Sequence, residues 1–186
     1  MTVEWTQHRF SGGALALDVA NTLVLRGSLD KSFDRFDDPQ ELPAFVTAAA
    51  QFRCDELGEV APLVIDAARE KPVLIALREA TDALFRAHAD ASADATRDTL
   101  LPPFLRACAT AIERGGAGSL LAATAHSALA LLAPDRKARI RICDNCGWLF
   151  LDKSRNGSRR WCDMAVCGNR QKAQRHYRRI RAEAAA

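Results

Sequence analysis

The stretch Cys143-Asp144-Asn145-Cys146-Gly147-Trp148-Leu149-Phe150, followed further on by Trp161-Cys162-Asp163-Met164-Ala165-Val166-Cys167, decides the fold of the C-terminal part of this chain. Its four cysteines are spaced C-x2-C-x15-C-x4-C. This spacing suits one tetrahedral zinc ion, because the tight turn of Cys-x-x-Cys supplies two sulfurs at once. We therefore predict one structural Zn²⁺ held by Cys143, Cys146, Cys162 and Cys167. The alternative is that the four cysteines are free thiols without a metal, which would require them to cluster in the sequence by accident.

The residues around the cysteines predict a small hairpin followed by a helix. Arg139–Ile142 alternates charged and β-branched residues, which is typical of a strand, and Trp148–Leu151 is the predicted return strand. Asp163 can cap a helix that runs to about Ala182. A hairpin with one ligand pair and a helix start with the other resemble a treble-clef finger. Four protein ligands leave no position for water or substrate, so the metal is expected to be structural.

The formal charge of +3 hides a strong asymmetry. Residues 136–181 contain 14 Lys or Arg against three acids, which gives +11, or +9 once four thiolates bind Zn²⁺. Residues 1–135 contain 12 Lys or Arg against 19 acids, which gives −7. An acidic body and a basic tail indicate two surfaces with different partners. We therefore predict two domains, residues 1–135 and residues 136–186.

Helical periodicity dominates the first of these domains. In the helix that opens at Pro72, for example, Leu74, Leu77 and Leu84 form an apolar stripe. The predicted helices run from Ala14 to Leu25, from Asp38 to about Arg53, from Glu59 to Glu70, from Pro72 to about Ala89, over 99–113 and over 119–132, with a loop at 90–98. The predicted fold class is therefore mainly α, with a helical domain followed by a small treble-clef-like zinc finger.

Two segments resemble a known family. Cys167-Gly168-Asn169-Arg170, with the flanking Arg159–Val166 and the upstream Cys143–Phe150, resembles the signature of the CGNR zinc-finger family. Leu15–Leu23 resembles the opening of the ABATE domain, which precedes this finger in family members. Family members are regarded as bacterial stress-response transcription regulators, so the resemblance implies a DNA-binding regulator.

The cations of the tail independently favour nucleic acid as the partner, because a basic helix and an adjacent basic loop can neutralise phosphates. The candidate residues are Arg155, Arg159, Arg160, Lys172, Arg175, Arg178 and Arg179, with DNA as the expected partner and RNA as a variant. The alternative is a protein-interaction adaptor whose basic face docks on an acidic partner or on the acidic body. Cations that face solvent would favour nucleic acid, and ion pairs with residues 1–135 would favour the adaptor.

Some residues of the finger allow two interpretations. Asn169 could read adenine and Arg170 could read guanine, but their position directly after a zinc ligand favours a structural role. Trp148, Trp161 and Tyr177 are predicted to pack inside the finger rather than to stack on bases.

Polar residues interrupt the first apolar helix. Asp18, Asn21 and Thr22 are three or four residues apart and therefore share one face, and Arg26 or Arg78 could supply their partners. Together with Arg78 they form either a small-ligand pocket or a hydrogen-bonded lock between helices. We therefore expect the helical domain to be a ligand sensor or a dimerisation unit, with a small molecule or a second copy of the chain as partner.

Other classes of protein are disfavoured. The histidines His8, His88 and His126 have no neighbouring nucleophile, and neither a Gly-rich phosphate loop nor a His-Glu metal helix occurs, so we expect no enzyme. The sequence contains no apolar run long enough to span a membrane and no secretory signal. We therefore expect a cytoplasmic protein, whose reduced thiols favour a metal over disulfides.

Overall fold

Helices form most of the fold in the computed structural model, which describes residues 3–28, 30–58, 63–90 and 97–184. The helices are α1 (Leu15–Ala20), α2 (Glu41–Phe52), α3 (Cys54–Leu57), α4 (Ala67–Ala89), α5 (Arg97–Arg114), α6 (Leu120–Ala130), α7 (Pro134–Lys137) and α8 (Asn169–Ala184). The strands β1 (Leu23–Val24) and β2 (Phe33–Asp34) form one antiparallel pair, and β3 (Ile140–Ile142) and β4 (Leu149–Leu151) form another. The mainly α prediction, with a hairpin that begins the zinc finger, is confirmed.

The long helix α4 is the centre of the body. It packs against α1, α5 and α6 and buries Leu74, Leu77, Leu84 and Phe85 completely. Each such side chain contributes about 1.5–3 kcal/mol when it leaves water. Phe104 of α5 meets Phe85 edge-on, with 5.6 Å between the ring centroids. The apolar stripe expected in this helix is therefore the core of the body.

The helix predicted from Ala14 to Leu25 is shorter than expected. It ends at Ala20, and the chain then turns into β1, where Leu23 lies opposite Asp34. Leu25 has a φ of 51°, which no continuing right-handed helix allows. The helix ends early because Asn21 makes hydrogen bonds to a strand far away in the sequence.

The helix predicted to open at Pro72 begins earlier, at Ala67, where the Asp66 carboxylate accepts a hydrogen bond from the Arg69 amide at 3.3 Å. Pro72 therefore lies inside α4, and the predicted break at this proline is wrong. Proline is tolerated here because the Asp66 cap stabilises the part of α4 before it and the buried apolar stripe stabilises the part after it. Of the predicted helix over 59–70, residues 59–62 lie outside the described part of the chain, as do residues 91–96 of the predicted loop.

The strand β4 alternates between two apolar cores. Leu149 and Leu151 are buried in the core of the body, together with Ile140 of β3. Trp148, just before the strand, and Phe150 point the other way and pack with the cysteines. This alternation follows from the two-residue period of a strand. One short hairpin thus contributes to the helical core on one face and to the finger core on the other.

Hydrogen bonds between the body and the strand β4 anchor this hairpin. The Leu151 amide donates to the Gly12 carbonyl at 2.8 Å. Asn21 Nδ2 donates to the Leu149 carbonyl at 2.9 Å, and Asn21 Oδ1 accepts from the Leu149 amide at 3.0 Å. Gly13 allows this close approach, because it has a φ of 81° and a Cβ there would lie 3.2 Å from Leu151.

Within the described ranges, none of the helices combines the length and the apolar character that a membrane crossing requires.

Candidate metal centre and basic surface

The four predicted cysteines come together. Their sulfur atoms all lie within 4.8 Å of one another. The Sγ of Cys162 is 3.7 Å from the Sγ of Cys146 and 3.7 Å from the Sγ of Cys167. Four sulfurs at ~2.3 Å from a tetrahedral Zn²⁺ would be separated by about 3.8 Å. The donor set and its spacing therefore fit one structural zinc ion.

Local hydrogen bonds shape the turn that presents the first ligand pair. The Cys143 amide donates to the Trp148 carbonyl at 2.8 Å, and the Gly147 amide donates to the Cys143 carbonyl at 2.9 Å. Gly147 has a φ of 73°, in the left-handed region that glycine adopts without strain. This geometry closes the hairpin and places Cys143 and Cys146 on the same side.

A capped turn presents the second ligand pair. Residues Met164–Gly168 form one π-helical turn that leads directly into α8. The Asp163 carboxylate accepts from the Ala165 amide at 2.7 Å and from the Val166 amide at 3.3 Å. Asp163 is thus the cap that the sequence predicts. Cys162 lies directly before it, and Cys167 lies within the turn that it caps.

Hydrogen bonds also reach the sulfurs themselves. Asn145 Nδ2 lies 3.4 Å from the Cys167 Sγ, and its Oδ1 accepts from Gln171 Nε2 at 3.1 Å. Hydrogen bonds from the Cys146 and Cys162 thiols hold the pKa of Cys143 well below its usual value, and the same contact with Cys143 raises the pKa of Cys146. Cys143 and Cys146 therefore resist losing their protons together unless a cation joins them, which is what zinc supplies.

Two of the predicted phosphate-binding arginines contact the finger itself. Arg159 Nη2 donates to the Cys162 carbonyl at 2.6 Å, and its guanidinium lies 5.5 Å from the Phe150 ring centroid. Arg160 forms a salt bridge with Asp144 at 2.6 Å and lies over Trp161. These contacts stabilise the finger, although Arg160 keeps 70% of its side chain exposed.

The other candidate cations face solvent. Arg155 is exposed in the loop after β4, and Lys172, Arg175, Arg178 and Arg179 are exposed on α8. Arg179 contacts only its own helix in the described part of the chain, with Glu183 at 3.7 Å and His176 at 3.4 Å. None of the four α8 cations forms an ion pair with an acid of the body within the described ranges.

The other finger residues are placed as follows. Trp148 is 5% exposed, and the half-buried Trp161 packs on the cysteine cluster, so both packing predictions are confirmed. The packing prediction for Tyr177 is wrong: 67% of its surface is exposed, because α8 extends away from the body. Asn169 Nδ2 donates to the Ala165 carbonyl at 3.0 Å, whereas Arg170 is exposed.

The polar residues of α1 have partners inside the protein. Asp18 accepts from the Gly12 amide at 2.9 Å and forms a salt bridge with Arg53 at 2.5 Å, so its partner is neither Arg26 nor Arg78. Burial raises the pKa of Asp18 to about 7, although Arg53 opposes the shift.

Thr22 and Arg78 belong to a second group of contacts. Arg78 Nη1 donates to Thr22 Oγ1 at 3.1 Å, and its two Nη atoms contact Asp34 at 2.8 and 2.6 Å. A cavity of about 760 Å³ lies elsewhere, between α3, α5 and α6, and none of the four predicted ligand-binding residues lines it within the described ranges. A smaller cavity of about 370 Å³ includes Asn21. A ligand at Asp18, Asn21, Thr22 and Arg78 stays a prediction.

Sequence reasoning gave no role to two residues that join the body to the finger. His8 Nδ1 lies 2.9 Å from Asp163, and its ring stacks on Trp148 with 5.5 Å between centroids. The Arg35 guanidinium also lies over the Trp148 ring, 5.2 Å from its centroid. No local motif could have identified them, because their partners are distant in sequence.

Comparison with known proteins identifies the finger but not the body. No curated protein matches the chain. The match to a family model covers the hairpin, all four cysteines and most of α8. Residues 139–180 are thus identified as a CGNR zinc finger.

Proposed function

We propose that this protein is a regulator of transcription that binds DNA through the exposed basic helix α8 of its zinc finger. The observation that carries this proposal is the orientation of four cations, Lys172, Arg175, Arg178 and Arg179, toward solvent. If the basic face of α8 served to neutralise the acidic body, its cations would form ion pairs with Asp or Glu residues of the body. Among the described residues, the ion pairs of these cations stay within α8.

The dimensions and chemistry of α8 suit a duplex. The helix has 16 residues and is therefore about 24 Å long. A major groove about 12 Å wide admits one α-helix. Lys172, Arg175 and Arg179 share one side of α8 by their spacing, and Arg178 adjoins them. With Arg155 they offer five phosphate contacts, for which the logarithm of affinity should fall against the logarithm of salt with a slope of about −4.5.

The body has a regulatory role in this proposal. Its N-terminal segment Leu15–Leu23 resembles the ABATE domain, and the resemblance implies a bacterial stress-response regulator in the cytoplasm. The body would sense a small ligand or join two copies of the chain, and the chain would have no catalytic activity. Because β4 is buried against the body, a change in the body can reach the finger through Asn21 and Leu149.

The second candidate function is a protein-interaction adaptor. It is favoured by two apolar side chains on α8, since Tyr177 is 67% exposed and Ile180 is 45% exposed. Their spacing places them on the side of α8 away from Lys172, Arg175 and Arg179. An acidic protein that also offers an apolar groove would contact both the basic side and the apolar side of α8.

Binding of duplex DNA at increasing salt tests the proposal. The triple variant Arg175→Ala/Arg178→Ala/Arg179→Ala should bind at least about tenfold more weakly at low salt, and its slope should be smaller by about 2.7. The matched control Arg69→Ala/Arg106→Ala/Arg114→Ala removes the same charge from exposed sites on the body and should bind as the wild type does. No binding at low salt, or an equal loss in both variants, would reject the DNA-binding role. Binding to an acidic protein that is lost in Tyr177→Ala would then favour the adaptor.

A further inference from the structure

Arg35 is a buried cation at the interface between the body and the finger. It is 5% exposed. Its guanidinium lies between two indole rings, 5.7 Å from the centroid of Trp5 and 5.2 Å from that of Trp148. Trp148 belongs to the same packed cluster as Cys143, Cys162 and Cys167. Arg35 is therefore a side chain of the body that reaches the environment of the metal ligands.

The nearby carboxylates are already occupied. Glu41 accepts from the Val3 amide at 2.6 Å and from Trp5 Nε1 at 2.8 Å. Asp34 contacts Arg78 through both of its oxygens. In the described part of the chain, the only side-chain hydrogen bond of Arg35 goes from Nη1 to the Asn21 carbonyl at 3.2 Å. Arg35 is thus buried without a carboxylate of its own, which is costly for a charged group.

The charged groups around Arg35 include the sulfur cluster. Burial, and next the repulsion from Arg9, lower the pKa of Arg35 to about 10, while Glu41, Asp34 and, least of the three, Cys146 act in the opposite direction. The guanidinium still remains protonated at neutral pH. A zinc ion with four thiolates carries a net charge of −2, and such a centre needs compensation when it is buried.

We propose that Arg35 is the counter-charge of the zinc–thiolate centre, so that the helical body supplies part of the affinity of the finger for its metal. The finger would then depend on the body for metal binding and not only for position. The proposal concerns metal affinity and does not depend on whether α8 binds DNA.

Zinc affinity of the full-length protein, measured by competition with a chromophoric chelator, tests this role. Arg35→Met keeps an unbranched, largely apolar side chain beside the indoles but removes the charge. We expect it to weaken zinc binding by about 10–100-fold, the usual effect of losing a residue that supports metal ligands. Arg35→Lys keeps the charge and should lose clearly less affinity than Arg35→Met.

Two control variants separate charge from general stability. Phe104→Leu disturbs the core where α5 packs on α4 and α6, and Arg69→Met removes an exposed arginine from the first turn of α4. Both should bind zinc with wild-type affinity. A Co²⁺-loaded Arg35→Met protein should keep the absorption bands of a tetrahedral tetrathiolate site.

Four results would overturn the proposal: wild-type zinc affinity in Arg35→Met, an equal loss in Phe104→Leu, an equal loss in Arg35→Lys, or altered Co²⁺ bands. If Arg35→Met does not fold, Arg35→Gln replaces it, because glutamine removes the charge but keeps a planar polar group. In that case Arg35→Gln must bind zinc more weakly than both Arg35→Lys and Phe104→Leu.

Discussion

The side chain of Asn21 is hydrogen-bonded to both backbone groups of Leu149, with Nδ2 donating to the carbonyl at 2.9 Å and Oδ1 accepting from the amide at 3.0 Å. The two residues are separated by 128 positions in the sequence. This pairing extends the backbone ladder of β4 into the helical body. It fixes the position of the zinc finger relative to α1.

Replacement of Asn21 should therefore destabilise the protein strongly. Asn21→Ala leaves a buried amide and a buried carbonyl of Leu149 unpaired, which should lower the free energy of unfolding by about 2–4 kcal/mol. Urea denaturation with zinc present measures this loss. Asn156→Ala, at an exposed site in the loop, is the control and should change the free energy by less than about 0.5 kcal/mol. Equal stabilities of the two variants would show that the Asn21 contacts contribute little.

Removal of zinc should unfold the finger and also weaken the body. Structural zinc contributes about 10–16 kcal/mol of apparent binding free energy in small fingers. Leu149 and Leu151 belong to the body core, so loss of the hairpin also exposes part of that core. A strong chelator should lower the melting temperature of the wild type, and Cys162→Ser should melt like the chelated protein. Cys54→Ser, which changes an exposed cysteine outside the cluster, should melt like the zinc-loaded wild type.

Gly13 should not tolerate a side chain. Its φ of 81° and the 3.2 Å approach of a Cβ to Leu151 predict that Gly13→Ala lowers the free energy of unfolding by about 1–3 kcal/mol. Gly116→Ala is the matched control, because a Cβ there meets nothing within 4 Å. Denaturation curves of the two variants give the comparison. A stable Gly13→Ala protein would mean that the loop moves away from β4 at little cost.

The salt bridge between Asp34 and Arg78 should make stability depend on pH in acid. Partial burial acts to raise the pKa of Asp34, but hydrogen bonds from Arg78 and from the Phe36 amide hold it below its usual value. A carboxylate with a lowered pKa stabilises the folded state above the pKa of the unfolded chain, about 3.9. This contribution is lost as the pH falls through the lower pKa of the folded state.

The matched variant for this test is Asp34→Asn. At neutral pH it should be less stable than the wild type by about 1.5–3 kcal/mol, because Arg78 loses charged acceptors. The difference should shrink as the pH falls below about 4. Any acid effect on the zinc site is common to both proteins and cancels in the difference. A stability difference between the wild type and Asp34→Asn that stays constant from pH 7 to pH 3 would contradict a lowered pKa of Asp34 in the folded state.

The features that the sequence predicted best depend on local spacing. The turn at Gly147 and the cap at Asp163 each involve residues within a few positions of one another, and the four cysteines lie within one short segment, 143–167; the structure has all three features. The apolar stripe of α4 is local as well. Propensity was misleading at Pro72, where the Asp66 cap and the buried core outweigh the local effect of a proline.

The features that the sequence could not predict depend on distant partners. The early end of α1 reflects the contact between Asn21 and Leu149, and the buried position of Arg35 requires both Trp5 and Trp148. The exposure of Tyr177 is of the same kind, because a helical apolar stripe does not reveal whether anything covers it. Contacts of this type appear only when the whole chain is folded.

The alternation along β4 has a consequence for how such a chain can evolve. In an element that faces only one core, a residue can be replaced when its neighbours in that core adjust. In Leu149–Leu151, successive side chains enter different cores, so a shift of the backbone that suits one core moves a side chain in the other. An inserted or deleted residue here would swap leucines and aromatics between the two interiors at once. Related chains should therefore differ in the length of the loop after β4 and of the C-terminal end of α8, while the length of this strand stays fixed.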